Sequence, residues 1–303
     1  MWNMSLIKRL ISIVFLVCLT QRVFSVEPGL PSIIVLSDHI ANVVVVDLSK
    51  GLFSLLEHKD GELFLVKTVD TSIGKKGFDK FYEGDKKTPI GIYKITGYKP
   101  DETIAAKYGI GAFPLDYPNT WDQKRSRTGS GIWIHGMYKS MTSRPPRDSD
   151  GCVVLNNDDL FSIFDELLDK NTPVILAENA PLDYFVKTES NEDFVDVFNS
   201  WISTWESRDV EKYLGFYSAD FDNEGKNFDQ WATHKRRVNR QKTFIDIDAE
   251  KLSVFDYPSE ENLRLVEFYL DYKSNNYNGA AWIRQFWSQQ DGAWQIVYED
   301  TYW

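Results

Sequence analysis

Short apolar bursts separated by turns open the chain. Ile33 to Leu36, Val43 to Asp47, Leu52 to Glu57 and Leu63 to Val69 alternate or run apolar, and Asp60-Gly61 between the last two favours a tight hairpin turn. Close in sequence and without helical periodicity, these segments predict an antiparallel β start. A polar loop over residues 75–87 then closes on Thr88-Pro89-Ile90-Gly91, where Pro89 fixes φ and Gly91 permits unusual backbone angles, and leads into a strand at 92–96. Residues 97–131 are loop-rich, with Pro100, Pro114 and Pro118 and a short helical piece over 101–108. Loops this long inside a domain are usually functional or mobile, so this region is expected to form a lid or one side of a groove. Tyr108, Phe113, Tyr117 and Trp121 would either touch a ligand there or pack the loop down.

Two further apolar runs frame a polar loop: Ile132-Trp133-Ile134 ends on His135-Gly136, and Ser149-Asp150-Gly151-Cys152 leads into Val153-Val154-Leu155. From Asn156 the pattern turns helical, with Asn157-Asp158-Asp159 offering an N-cap and Leu160, Ile163, Phe164, Leu167 and Leu168 at three- and four-residue spacing. Pro173 stops it, Val174 to Leu176 returns to strand, and a linker is expected over 180–190. Beyond it, Phe194, Val197, Phe198, Trp201, Ile202 and Trp205 mark one face of a helix. Shorter helices near 210–217 and 228–237 follow, then strands at 242–247, 251–257, 263–272, 279–289 and 293–302.

Composition narrows the setting. A chain of 303 residues is long enough for two domains, and 10 Trp, 15 Tyr and 19 Phe exclude general disorder. Residues 1–25 read as a secretory signal, with Lys8 and Arg9 before an apolar core from Leu10 to Leu19 and a cleavage site at Val23-Phe24-Ser25. That core is short for a spanning helix, so no stable membrane span is expected once the segment is cleaved. Cleavage removes three positive charges and no negative one, taking the net charge from −11 to −14, a poor match for nucleic acid. His234, Lys235, Arg236, Arg237 and Arg240 form a basic cluster, best read as a solvated helix face.

Cysteine usage carries the chemistry. Once Cys18 leaves with the signal, Cys152 is the only thiol, and a solitary cysteine in an exported protein is an intermolecular bridge or a reactive group. A thiol attacks as its thiolate, and its usual pKa of about 8.5 requires a neighbouring base for work near neutrality. His135 would be that base, and Gly151 would let the backbone approach a bound carbonyl. The plainer alternative is a buried small hydrophobe beside a satisfied strand-end histidine. Scattered His and one Cys give no metal-ligand spacing, so no metal and no cofactor are expected.

His-Gly, a loop, and Ser-x-Gly-Cys together resemble the signature of the L,D-transpeptidase catalytic domain (YkuD-type), whose members remodel bacterial peptidoglycan. Residues 84–93, Gly-Asp-Lys-Lys-Thr-Pro-Ile-Gly-Ile-Tyr, are similar to that family's second hallmark. The resemblance covers roughly 30–180. Two positions depart from the common pattern: Asp150 stands where many members have His, and Val154 where many have Arg. Residues 190–303 resemble a nuclear-transport-factor-like (SnoaL-like) α+β cone, and the pair of domains resembles the L,D-carboxypeptidase and cell-shape branch. The implied fold is a mainly-β sandwich with few helices followed by that cone-shaped domain.

The resemblance implies a periplasmic or otherwise exported enzyme acting on peptidoglycan stem peptides at the meso-diaminopimelate–D-alanine bond, as L,D-transpeptidase or L,D-carboxypeptidase. Cys152 would be the nucleophile, His135 the base, and the Gly136 carbonyl would orient the imidazole. Gly151 and Ser149 would shape the oxyanion site. Substrate contacts would come from Arg147, Arg144, Thr88 and Tyr138, with Arg147, nearest the Cys motif, as the preferred partner for a carboxylate. Two other readings stay open: a catalytically degenerate envelope binding module, suggested by Asp150 and Val154, and a relative that attaches or releases wall-bound protein. A homo-oligomer formed through the C-terminal domain is left open too.

Overall fold

The run Val43-Val44-Val45-Val46 is buried on both sides, and that fixes the architecture. In the strand Asn42–Asp47, Val44 and Val46 enter one hydrophobic core while Val43 and Val45 enter a second, so the sheet that holds them is covered on both faces. This computed structural model describes residues 32–182 and 192–302, apart from positions 224 and 259. The expected signal segment and most of the expected linker lie outside the described residues.

The covered sheet has five strands in the order Glu62–Asp70, Leu52–Lys59, Asn42–Asp47, Pro173–Ala177, Gly91–Lys94. Asp60 and Gly61 both take positive φ, 53° and 79°, as the tight hairpin turn requires. On one face lies a smaller four-stranded sheet, in which Val153–Val154 pairs with Trp133–His135 and that strand with Gly111–Pro114. Leu160, Ile163 and Leu167 seal this first core from two short helices, Asn157–Ser162 and Phe164–Leu168. The expected single helix is broken at Ile163, and the helical piece at 101–108 is two 3-10 turns, Asp101–Thr103 and Ala106–Tyr108.

On the other face the five-stranded sheet packs against the C-terminal domain. Seven strands there form one antiparallel-rich sheet, with its outer face turned to the helices Glu192–Glu206, Val210–Leu214 and Phe228–Asn239. Along Leu263–Ser274, Leu263 and Leu265 face the first domain while Val266, Phe268 and Leu270 face those helices. The strand Ile33–Val35, which the sequence groups with its neighbours, pairs instead with Ile245–Asp256 of the C-terminal sheet. Residues 242–247 and 251–257, expected as two strands, share one continuous strand, Ile245–Asp256. The fold is thus mainly β, with an α+β domain following the first.

Polar and aromatic groups lock the two halves. Trp121 stacks on Phe286 at 4.8 Å, and its Nε1–H donates to Glu260 at 2.9 Å. Lys94 pairs with Glu267 at 2.9 Å, and Arg284, held by Asp300 at 2.7 Å, also donates to the Thr120 hydroxyl. Phe113, Tyr117 and Trp121 are all buried, so of the four aromatics expected at a groove these three are packing. Trp121→Ala should cost about 3–5 kcal/mol, the usual cost of truncating a buried large aromatic. Because the loss falls on the shared core, calorimetry should show the single unfolding transition splitting in two; an unsplit, unshifted transition would mean the halves do not stabilise each other.

Candidate active site

Two adjacent parallel strands position the candidate residues Cys152 and His135. Ile134 lies opposite Val153 and His135 opposite Val154. Ile132, Ile134, Val153 and Leu155 point into the first core, so alternation turns Trp133, His135, Cys152 and Val154 to the opposite face. There the Cys152 thiol and the His135 imidazole line one cavity of 410 Å³.

The turn before Cys152 is held by hydroxyls. Ser149 Oγ donates to the Cys152 carbonyl at 2.6 Å and accepts the Gly151 N–H at 3.1 Å. Gly151 has φ 129°, and a Cβ there would lie 2.7 Å from the Lys87 carbonyl oxygen, so glycine is required. Thr88 Oγ1 donates to the Gly151 carbonyl and accepts the Gly74 N–H, both at 3.0 Å. With 0 % of its surface exposed, Thr88 has no route to a substrate. Its expected place among the substrate contacts gives way to one behind Cys152, where the Thr-Pro-x-Gly segment pins the turn. Thr88→Val keeps the shape but strands two buried backbone groups, and should cost about 2–4 kcal/mol by urea unfolding. A cost below ~0.5 kcal/mol would mean that the pin is not needed.

His135 Nδ1–H donates to the Gly136 carbonyl at 2.5 Å, which leaves the Nε2 lone pair available as a base. The Tyr108 ring packs in a T-shaped arrangement against the imidazole, with centroids 4.9 Å apart at 87°. Burial lowers the imidazole to about 4, only partly opposed by the Gly136 hydrogen bond. Burial likewise pushes the Cys152 thiol up to about 11, against the smaller effects of the Trp133 backbone N–H and the charge of Lys107. The thiol donates to the Gly131 carbonyl at 3.4 Å. Both shifts favour the neutral thiol and the neutral imidazole over a thiolate–imidazolium pair.

The expected contacts separate around this cavity. Arg144 lines it, its guanidinium held by the Asp148 carboxylate at 3.1 Å and the Asp148 carbonyl at 2.5 Å, and Tyr138 lines it at 47 % exposure. Arg147 does not line it: a register shift follows Arg147 in its pairing with Ile73, and the exposed side chain lies beside Gly77. Of the two arginines expected there, Arg144 lines the cavity and Arg147 does not. Asp150 is at the rim, 3.6 Å from Lys75, while Val154 is buried. Sequence reasoning missed Lys107 and the Gly129-Ser130-Gly131 wall, for which the glycine spacing was the available signal. Among the described residues no group of three His, Cys, Asp or Glu is placed to hold a metal ion.

A second cavity, 580 Å³, opens in the C-terminal domain. Lys235, expected on a solvated helix face, lines it instead, its ammonium 4.2 Å from the Trp231 ring centroid and 4.7 Å from that of Trp205. Burial among these rings lowers the amine to about 8.

Residues 41–176 match the family described as the L,D-transpeptidase catalytic domain, and residues 193–300 match the Cds6 C-terminal NTF2-like domain. Among solved structures, Bd1075 of Bdellovibrio bacteriovorus is 26% identical, with a TM-score of 0.76 over 91% of this chain and 97% of that one. The helical cell shape determining protein Pgp2 of Campylobacter jejuni is 26% identical, with a TM-score of 0.74 over 88% of this chain and 94% of that one. No curated protein sequence matches the chain.

Proposed function

Because the chain joins an L,D-transpeptidase catalytic domain to a C-terminal NTF2-like domain, we propose that it is an exported cysteine enzyme that processes peptidoglycan stem peptides. The observation that carries this is the shared cavity of Cys152 and His135, with the imidazole tautomer set by Gly136. In this proposal residues 1–25 direct export, 30–180 are the catalytic domain and 190–303 the accessory one. The bond attacked is that between meso-diaminopimelate and D-alanine. The likeness to a cell shape determining protein supports a role in cell shape.

In the proposed cycle, His135 Nε2 takes the thiol proton as the Cys152 sulfur adds to the carbonyl carbon of the L-centre. The backbone N–H of Cys152 stabilises the oxyanion; the Gly151 N–H, committed to Ser149 Oγ, supports the turn instead. Collapse of the tetrahedral species breaks the C–N bond, and the imidazolium protonates the departing amine of D-alanine. A thioester remains on Cys152. Water or the amine of a second stem then adds, giving its proton to His135, and the thiolate leaves and recovers that proton. Arg144, beside the thiol, would hold a stem-peptide carboxylate.

Purified disaccharide tetrapeptide, incubated with the protein and read by product mass, tests this. Tripeptide alone means carboxypeptidase and crosslinked dimers mean transpeptidase; unchanged tetrapeptide with folded protein contradicts both and favours a binding module. The Lys235 cavity supports a wall-binding role for the second domain. Deleting residues 190–303 is a poor test of that role, because it would expose Val43, Val45 and Trp121, which share a core with Phe255 and Phe286.

A further inference from the structure

We propose that Asn157 is the positioning residue that keeps the imidazole of His135 in its working tautomer, by fixing the peptide plane between Gly136 and Met137. The inference rests on the acyl-transfer reading above for its effect on rate, though not for its effect on the ring.

One planar peptide unit contains both the Gly136 carbonyl and the Met137 N–H, so whatever orients one orients the other. The carbonyl accepts from His135 Nδ1 at 2.5 Å. On the opposite side of the same unit, the Met137 N–H donates to Asn157 Oδ1 at 3.2 Å, and Asn157 Nδ2 donates to the Met137 carbonyl at 3.0 Å. The side-chain amide therefore grips Met137 at two points and prevents the Gly136 carbonyl from swinging away from the ring.

Two glycines make room for the grip. A Cβ at Gly136 would lie 2.2 Å from Asn157 Oδ1, and one at Gly109 would lie 2.3 Å from the same atom. Gly109 follows Tyr108, whose ring packs against the His135 imidazole. Asn157 begins the helix Asn157–Ser162, five residues after Cys152. One amide thus ties together the segments bearing the thiol, the imidazole and the ring that covers it. Without it, the peptide plane can rotate, the proton can move to Nε2, and the nitrogen that must accept the thiol proton is blocked.

The ¹⁵N chemical shifts of the His135 ring in the full chain, assigned by their loss in His135→Gln, read the tautomer directly. The wild type should show the proton on Nδ1. Asn157→Ala should show a mixture with Nε2–H, with kcat on disaccharide tetrapeptide lowered about 10²-fold and KM within ~3-fold. Gly136→Ala, which displaces the amide while keeping Asn157, should give the same mixture. An Nε2–H wild type overturns the proposal without any variant, as does an Asn157→Ala protein that keeps a pure Nδ1–H ring or loses nothing in kcat. A wild type without turnover would sink the enzyme reading alone, and the tautomer of Asn157→Ala would still decide this one.

Discussion

Replacing Cys152 with Ala should lower turnover of disaccharide tetrapeptide by about 10⁴-fold or more while leaving the fold intact. The magnitude follows from the role: with no sulfur there is no covalent intermediate, and what remains is binding plus oxyanion stabilisation. The fold should tolerate the change because Cys152 is half-buried at the cavity, and what is lost is its contact with the Gly131 carbonyl and with the Trp133 backbone N–H. Steady-state assay with thermal unfolding checks both parts. Residual activity above ~1% of wild type would remove Cys152 from the reaction.

His135→Gln should cost about 10³-fold near neutrality, and the pH profile should change shape. In the wild type the productive form, neutral thiol with neutral imidazole, is expected across a broad range, because the imidazole titrates at about 4 and the thiol at about 11. Rate should therefore fall on the acid side as the ring takes a proton, and change little between pH 6 and 9. Without the imidazole, attack depends on spontaneous loss of the thiol proton. The variant should then gain roughly tenfold per pH unit until the thiol titrates, since thiolate concentration rises in that proportion. A flat variant profile would mean that the thiol proton leaves by another base.

Much of this organisation was legible in the chain because it rests on local rules. Asp60-Gly61 specified its hairpin through positive φ, and the apolar runs ending in His135 and starting after Cys152 specified two strands. What escaped was set by contacts distant in sequence. The run Val43 to Val46 signals burial on both faces, yet nothing near it says that the second face belongs to strands more than 200 residues away. Ile33–Val35 was misgrouped for the same reason, since its pairing partner is Ile245–Asp256.

Site residues divide along similar lines. Thr88 is placed among the substrate contacts by the family resemblance of its segment, but its hydroxyl serves two backbone groups, Gly74 N–H and the Gly151 carbonyl, that no local pattern connects. Lys235 sat in a basic run that reads as solvated. Its spacing of four from Trp231 places both on one helix face, and that face turns inward to the second cavity. Arg147 is nearer Cys152 in sequence, yet Arg144 is the one of the two that lines the cavity.

The most direct measurement is the mass of the protein after brief reaction with disaccharide tetrapeptide and acid quench, followed by peptide mapping. A thioester-linked stem peptide, short of its D-alanine, on the fragment containing Cys152 is the expected result, with no adduct in Cys152→Ala. Consumption of tetrapeptide by that variant at the wild-type rate, or an adduct carried on any other residue, would contradict the account.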